Sequence, residues 1–421
     1  MTRRRVLAVT TSPLPHGEQI TDGPGYRMWN LLEVLVRKHD VHVLSLYESF
    51  HLNERRTGSI EVDGLTVESP SHRPSEVQRQ IREIGPDALY LPWSSVPFLG
   101  RANRRIPTIL DFVGPGLYED FVANGRISAP LLDLALESFW YGDLFMTTTR
   151  RERFYLLGLL AASRRLTEGR WERDDSLVQV VRMTPPPDPP QAATHRPERR
   201  GSERIFLLAG AFLPWYDYGL LARAINLLDQ STKALTRVVV MGGNPRMPWE
   251  EKRVRDTLSQ GIHDGCVEFS GIVPFSRRAE YYLGADVGLV ISPNTVEDEL
   301  SARTRIVDYL WARLPVITPG RDEYSEELLA EGAGFAYGPR PEDLAKSISR
   351  VVEETVDVDK ARLAAGQLLA EGYDPTVAAR PFFEFLEEPR LTERRPHGSP
   401  APKIVAMWLR DLAKGIRSGR L

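Results

Sequence analysis

The segment Ala285–Gly320 reads ADVGLVISPNTVEDELSARTRIVDYLWARLPVITPG. Val287–Ile291 is a short apolar run of the kind buried in a parallel sheet. A polar, acidic loop follows from Pro293 to Leu300. From Ala302 to Ala312 the spacing predicts a helix, because Ile306, Val307, Leu310, Trp311 and Leu314 recur with helical period. Ser301 stands where an N-cap belongs. A second apolar run, Leu314–Thr318, stops at Pro319-Gly320. The unit is strand, loop, helix, strand. Arg303 and Arg305 fall in the first helical turn and Asp308 one turn further on. Free backbone N–H groups and guanidiniums at a helix start suit a phosphate, and a carboxylate behind them suits a ribose diol. Together they suggest a nucleotide.

Working outward, residues 1–182 alternate strand-like and helical stretches. Arg5–Thr10, Val41–Leu46, Ala88–Leu91 and Thr108–Phe112 read as strands, as do the short runs Leu144–Thr148 and Val178–Val181. A helix from about Tyr26 to Arg37 and another over Ser75–Ile84 separate them. Such alternation predicts a parallel α/β sheet with helices on both faces. Residues 183–203 interrupt it with six prolines and almost nothing apolar, as a stiff linker would. The alternation restarts at Ile205–Ala209 and runs to about residue 388. Residues 389–421 form a tail. From Arg390 onward it carries eight Lys/Arg against two acidic residues, a net charge of +6. Ile404, Trp408, Leu412 and Ile416 fall on one helical face there. That pattern fits a helix packed back on the body or one lying on an anionic membrane surface.

Composition bounds the function classes. The chain has 421 residues, 42% apolar and 26% charged, with a net charge of −3, so no global basic field asks for nucleic acid. Cys266 is the single cysteine, which excludes an intrachain disulfide and a thiolate metal cluster. The apolar run after Arg3–Arg5 is too short for a signal-peptide core, and no run reaches the roughly 20 residues of a membrane span. A cytoplasmic protein is expected, with membrane association at the inner face open through the tail. His39 and His42 lack further ligands in the pattern, and no Walker, Gly-x-Ser-x-Gly or zinc spacing occurs, so no metal or other cofactor is expected.

The run RTRIVDYLWARLPVITPG at 303–320 resembles the donor-site helix of GT-B glycosyltransferases, above all the retaining family 4. The resemblance implies two Rossmann-like domains facing an inter-domain cleft, 1–182 for the acceptor and 204–388 for the nucleotide sugar. It also implies retention of configuration and no catalytic metal. Asp308 occupies the family's acidic position and Arg313 its usual glycine. The family carries a second glutamate further back, and Leu300, eight positions before Asp308, stands in its place. Glu297 and Glu299 are nearby, and Glu299 is the candidate for that role.

The candidate catalytic residues are therefore Glu299, Arg303 and Arg305. Donor binding is assigned to Gly210, Ala211, Trp215, Ser301, Arg303, Arg305 and Asp308. The loop 210–219 lacks the Arg and Lys that many members carry there, so phosphate charge falls to Arg303 and Arg305. Gly23-Pro24-Gly25 is either a tight turn or a glycine-rich acceptor loop, with Tyr26 and Arg27 facing the substrate. Asp111, after a strand, either orients an acceptor hydroxyl or caps a loop. The expected partners are a nucleoside-diphosphate sugar and an unidentified acceptor. Two alternatives stay open: a non-catalytic GT-B protein that activates a partner glycosyltransferase, and a nucleotide-sugar epimerase.

Overall fold

The computed structural model describes residues 3–15, 21–48, 59–62, 64–100, 105–166, 177–191, 201–244 and 247–392. The tail helix expected within 393–421 lies outside them. The chain divides into two compact units. Of the described residues, those within 1–15, 21–182 and 378–392 form one unit and those within 183–377 the other.

The first unit is built on eight strands: β1 (Arg5–Thr10), β2 (Asp40–Ser45), β3 (Ser59–Val62), β4 (Leu65–Glu68), β5 (Ala88–Pro92), β6 (Thr108–Asp111), β7 (Leu144–Thr147) and β8 (Val178–Val180). Their order is β3-β4-β2-β1-β5-β6-β7-β8. Every pairing is parallel except the β3–β4 hairpin. Alternation along β1 explains the two-sided burial. Val6 and Ala8 face a core with Met28, Trp29 and Leu32 of the helix Gly23–Leu35. Leu7 and Val9 face a second core with Val77 and Ile81 of the helix Pro74–Ile84.

The helix Arg380–Glu387 also belongs to this unit, although the sequence reading carries the second domain to residue 388. Its Phe382, Phe383, Phe385 and Leu386 join the Met28–Trp29 core. Phe382 lies against Tyr90, with ring centroids 4.8 Å apart. Four large apolar side chains in eight residues need a partner surface, and burying each is worth about 1.5–3 kcal/mol. That is why the end of the chain returns here.

The second unit has six parallel strands: β9 (Arg204–Ala209), β10 (Thr236–Met241), β11 (Val267–Gly271), β12 (Val287–Leu289), β13 (Val316–Thr318) and β14 (Gly334–Ala336). The order is β11-β10-β9-β12-β13-β14. From β9 the chain steps outward through β10 and β11, then returns to lay β12 on the other side of β9. The strand order therefore reverses between β9 and β12, and in open parallel sheets ligands sit outside the carboxyl ends at such a point. One face is covered by the helices Tyr218–Leu227 and Pro341–Val352 through Leu221, Ile225, Leu344 and Ile348. Residues 183–191 are part of this unit: the Met183 amide donates to the Tyr324 hydroxyl at 2.9 Å and the Trp311 indole to the Asp188 carbonyl at 2.7 Å.

Candidate functional site

The quoted segment folds as β12, a short helix Val296–Leu300, the helix Thr304–Trp311, and β13. Thr295 and Asp298 form a capping box, the Thr295 amide donating to Asp298 Oδ2 at 2.7 Å. This turns Glu297 and Asp298 inward, where they are almost wholly buried. The following helix starts at Thr304 with Arg303 in the N-cap position, so Ser301 is not its cap. Ser301 ends the preceding helix instead, and its hydroxyl donates to Glu297 Oε1 at 2.6 Å.

Arg303 and Arg305, assigned by sequence to one phosphate, have different surroundings. Arg303 is gripped by acids: Nη1 donates to Glu297 Oε1 at 3.0 Å, Nη2 to Glu297 Oε2 at 2.6 Å, and Nη2 also to Asp298. Burial acts to lower its pKa, but Tyr216, Glu297 and Asp298 outweigh this and hold it well above the ordinary arginine value. Its donors are thus committed to carboxylates rather than turned to a ligand. Arg305 is 6% exposed and makes no ion pair and no side-chain hydrogen bond with any described residue. Its guanidinium lies over the Tyr216 ring, 4.4 Å from the centroid, and Arg303 lies 5.2 Å from the same ring. Cation–π contact returns about 0.5–2 kcal/mol, less than the several kcal/mol that burying an isolated ion costs. The arrangement suits an anion delivered by something other than the described protein.

What Arg305 faces is the carboxyl end of β9. A Cβ added to Gly210 would stand 3.3 Å from Arg305 Nη2. Gly210 has φ +116, and one added to Gly242, φ +138, would stand 1.9 Å from the Gly210 carbonyl oxygen. Only glycine lets the ends of β9 and β10 approach this closely. The switch point, two bare backbone turns, the start of an eight-residue helix and a buried unpaired guanidinium therefore meet in one place. Ala211 is exposed beside Gly210, and Trp215 is half-buried against the core. Tyr216, which the sequence places in the 210–219 loop beside Trp215 without a donor role, has both guanidiniums over its ring.

Tyr309, four residues after Arg305, anchors the helix across the switch point. Its hydroxyl donates to the Leu207 carbonyl of β9 at 2.8 Å, lies 3.1 Å from the Leu289 carbonyl of β12, and accepts from the Ala209 amide at 3.1 Å. Burial pushes its pKa up to about 12, which keeps that proton in place. Asp308 points to the neighbouring helix Arg278–Gly284. It accepts from the Tyr282 hydroxyl at 3.0 Å, and its Oδ1 is 3.6 Å from Arg278 Nε. Arg278 itself lies over the rings of Phe275 and Trp311. Glu299 is exposed and pairs with Arg321 at 2.6 Å, so its carboxylate already has a cation.

In the first unit, Gly23 and Gly25 lie inside the first turn of a helix capped by Asp22, whose Oδ1 accepts from the Gly25 amide at 2.9 Å. They do not form an open loop. A Cβ on Gly25 would stand 2.1 Å from the Pro13 carbonyl oxygen, so the glycine serves close packing. Tyr26 and Arg27 are buried. Arg27 Nε donates to Asp111 Oδ2 at 2.7 Å and Tyr90 donates to the same oxygen at 2.8 Å. Asp111 is thus the counter-ion of a buried arginine rather than a loop cap. Among the described residues no group of three or more His, Cys, Asp or Glu could hold a metal ion, and no helix is long and apolar enough to cross a membrane.

No protein-family model matches the chain, and no curated protein does. Solved structures do. HepE from Anabaena, in complex with UDP and glucose, is 13% identical over 91% of this chain and 100% of that one, with a TM-score of 0.65. Sucrose-phosphate synthase from Thermosynechococcus elongatus is 14% identical over 92% and 99%, with a TM-score of 0.69. WaaG, a glycosyltransferase of lipopolysaccharide biosynthesis, is 14% identical over 89% and 98%, with a TM-score of 0.58. At such identities the likeness is one of fold: two parallel-sheet units, as in GT-B glycosyltransferase structures.

Proposed function

From that fold and the setting of Arg305, we propose that the chain is a glycosyltransferase that moves a sugar from a nucleoside-diphosphate donor to a hydroxyl acceptor. One observation carries the reading. Arg305 is buried, has no ion pair among the described residues, and opens onto Gly210 at the switch point of the second sheet. A diphosphate supplies the missing negative charge. The fold supports the same reading, since the similar HepE structures hold UDP and UDP-glucose.

In the reaction the bond from the sugar's anomeric carbon to the donor β-phosphate oxygen breaks, and a bond to the acceptor oxygen forms. The acceptor proton passes to the departing phosphate. Negative charge grows on that phosphate, and Arg305 with the backbone amides at the Thr304 helix start is aimed to stabilise it. Asp308, held by Tyr282, is the carboxylate assigned to the ribose diol. Retention of configuration and independence of metal follow from the family 4 resemblance of residues 303–320. One observation favours a second reading, a nucleotide-binding GT-B protein without turnover: Glu297 and Asp298 are spent on Arg303, Glu299 on Arg321, and Leu300 stands at the glutamate position.

The test is release of nucleoside diphosphate from a panel of nucleotide sugars with and without EDTA, alongside calorimetric binding of the free diphosphates. Binding with slow donor hydrolysis that survives chelation supports the enzyme. Binding with no turnover in the presence of a broad acceptor panel selects the second reading, and no binding of any diphosphate refutes both. Turnover abolished by EDTA and restored by Mg²⁺ or Mn²⁺ removes the metal-free mechanism.

A further inference from the structure

The acids around Arg303 outnumber it. Glu297 takes it in a bidentate pair and Asp298 adds a second carboxylate on Nη2, all within a cluster whose members are 0–4% exposed. Asp322, also buried, lies within electrostatic reach of the same guanidinium. One arginine cancels one carboxylate. Counting formal charges, Glu297, Asp298 and Arg303 leave one negative charge in surplus. Arg303, which these acids grip, shares the Tyr216 ring with Arg305, at 5.2 and 4.4 Å from its centroid. In a medium of low dielectric a neighbouring charge acts over such distances.

We propose that Asp298 is a tuning residue for the diphosphate site: its charge opposes the anion that Arg305 attracts and so speeds departure of the spent nucleotide. This rests on the donor reading above. Strong attraction for phosphate helps the leaving group but also slows its release as product. A surplus carboxylate behind the arginine relieves that conflict without touching the ligand. Glu297 is the less suitable residue for this role, since it holds Arg303 through both oxygens and takes the Ser301 hydroxyl as well.

A purely structural Asp298, acting only in the capping box with Thr295, predicts the opposite sign. Its loss would loosen the segment that carries Arg305 and weaken binding. The experiment compares wild type, Asp298→Asn and Asp298→Ser, the serine retaining a capping oxygen. Calorimetry measures affinity for UDP, GDP and ADP and for the matching nucleosides, and stopped-flow displacement measures the dissociation rate. The expected result is about 3- to 10-fold tighter binding of whichever diphosphate the wild type binds, through a slower dissociation rate, with the nucleoside unchanged. Equal or weaker diphosphate binding in folded variants overturns the proposal while leaving the donor reading intact. So does loss of fold in both variants, since the carboxylate is then structural. If wild type binds no diphosphate, the donor reading fails and this inference with it.

Discussion

Replacing Arg305 with methionine separates a functional arginine from a structural one, because the two roles predict opposite changes in stability. Methionine is flexible and fills the same kind of space beside Tyr216. The guanidinium it replaces is 6% exposed and has no carboxylate partner among the described residues. Two unit charges about 4 Å apart at an effective dielectric of about 20 interact by about 4 kcal/mol. Hydrogen bonds to charged groups contribute about 1.5–3 kcal/mol net. Taking about 3 kcal/mol, diphosphate affinity falls about 150-fold. The nucleoside is held elsewhere, so its affinity stays as in wild type. Removing an unpaired buried ion also relieves its desolvation, less the cation–π contact. The ligand-free variant should gain about 1 kcal/mol and melt about 2–4 °C higher. Calorimetry with diphosphate and nucleoside, plus a thermal melt of the ligand-free protein, reads all three quantities. A variant that binds diphosphate like wild type, or melts several degrees lower, refutes the assignment of Arg305 as an uncompensated phosphate ligand.

Further outcomes follow from the packing and the buried charges. Gly288→Ala places a Cβ 2.7 Å from the Tyr309 ring, which is fixed by its hydroxyl, so overpacking should cost about 1–3 kcal/mol in a denaturant melt. In the first unit, Asp111→Asn strips the buried Arg27 of its charge partner and should cost about 3–5 kcal/mol. The double variant Arg27→Met, Asp111→Leu should recover much of that loss, and recovery of none would show the pair is not the cause. Burial, followed by the charges of Lys38, Arg3 and Arg4, holds the His39 pKa below its ordinary 6.5. Below that pH the unfolded chain takes a proton that folded His39 refuses, so its contribution is present above pH 6.5 and is lost as pH falls. Urea midpoints from pH 8 to pH 5 should therefore fall less steeply in His39→Gln, and an unchanged slope would count against the linkage.

The α/β alternation and the strand–loop–helix–strand unit at 285–320 are legible in the sequence. Each rests on a local signal. Parallel strands buried on both faces read as apolar runs, such as VLAV at 6–9 and VVV at 238–240. Burial over helical spacing marks Ile306, Val307 and Leu310 whatever lies opposite. The helix Val358–Gly372 has no legible apolar stripe, because its buried positions are Ala361, Ala365 and Leu368. Helix starts were misplaced by two or three residues, at Thr304 and Gly23, since caps depend on loop geometry that spacing does not carry.

Which charges are paired and which are left over depends on contacts made in the folded chain. Arg303 and Arg305 look alike in sequence, two positions apart in one acidic stretch. The capping box of Thr295 and Asp298 turns two carboxylates onto Arg303, while Arg305 runs under Gly210, more than ninety residues earlier in the chain. Asp111, Tyr26 and Arg27 read as substrate-facing because they follow strand ends, yet the fold buries all three. The return of the Arg380–Glu387 helix to the first unit likewise depends on a surface made by residues between positions 6 and 181, far from it in the chain. Pairing and burial are properties of residues distant in sequence, and electrostatic energy in a dry interior depends on those distances more than on residue type.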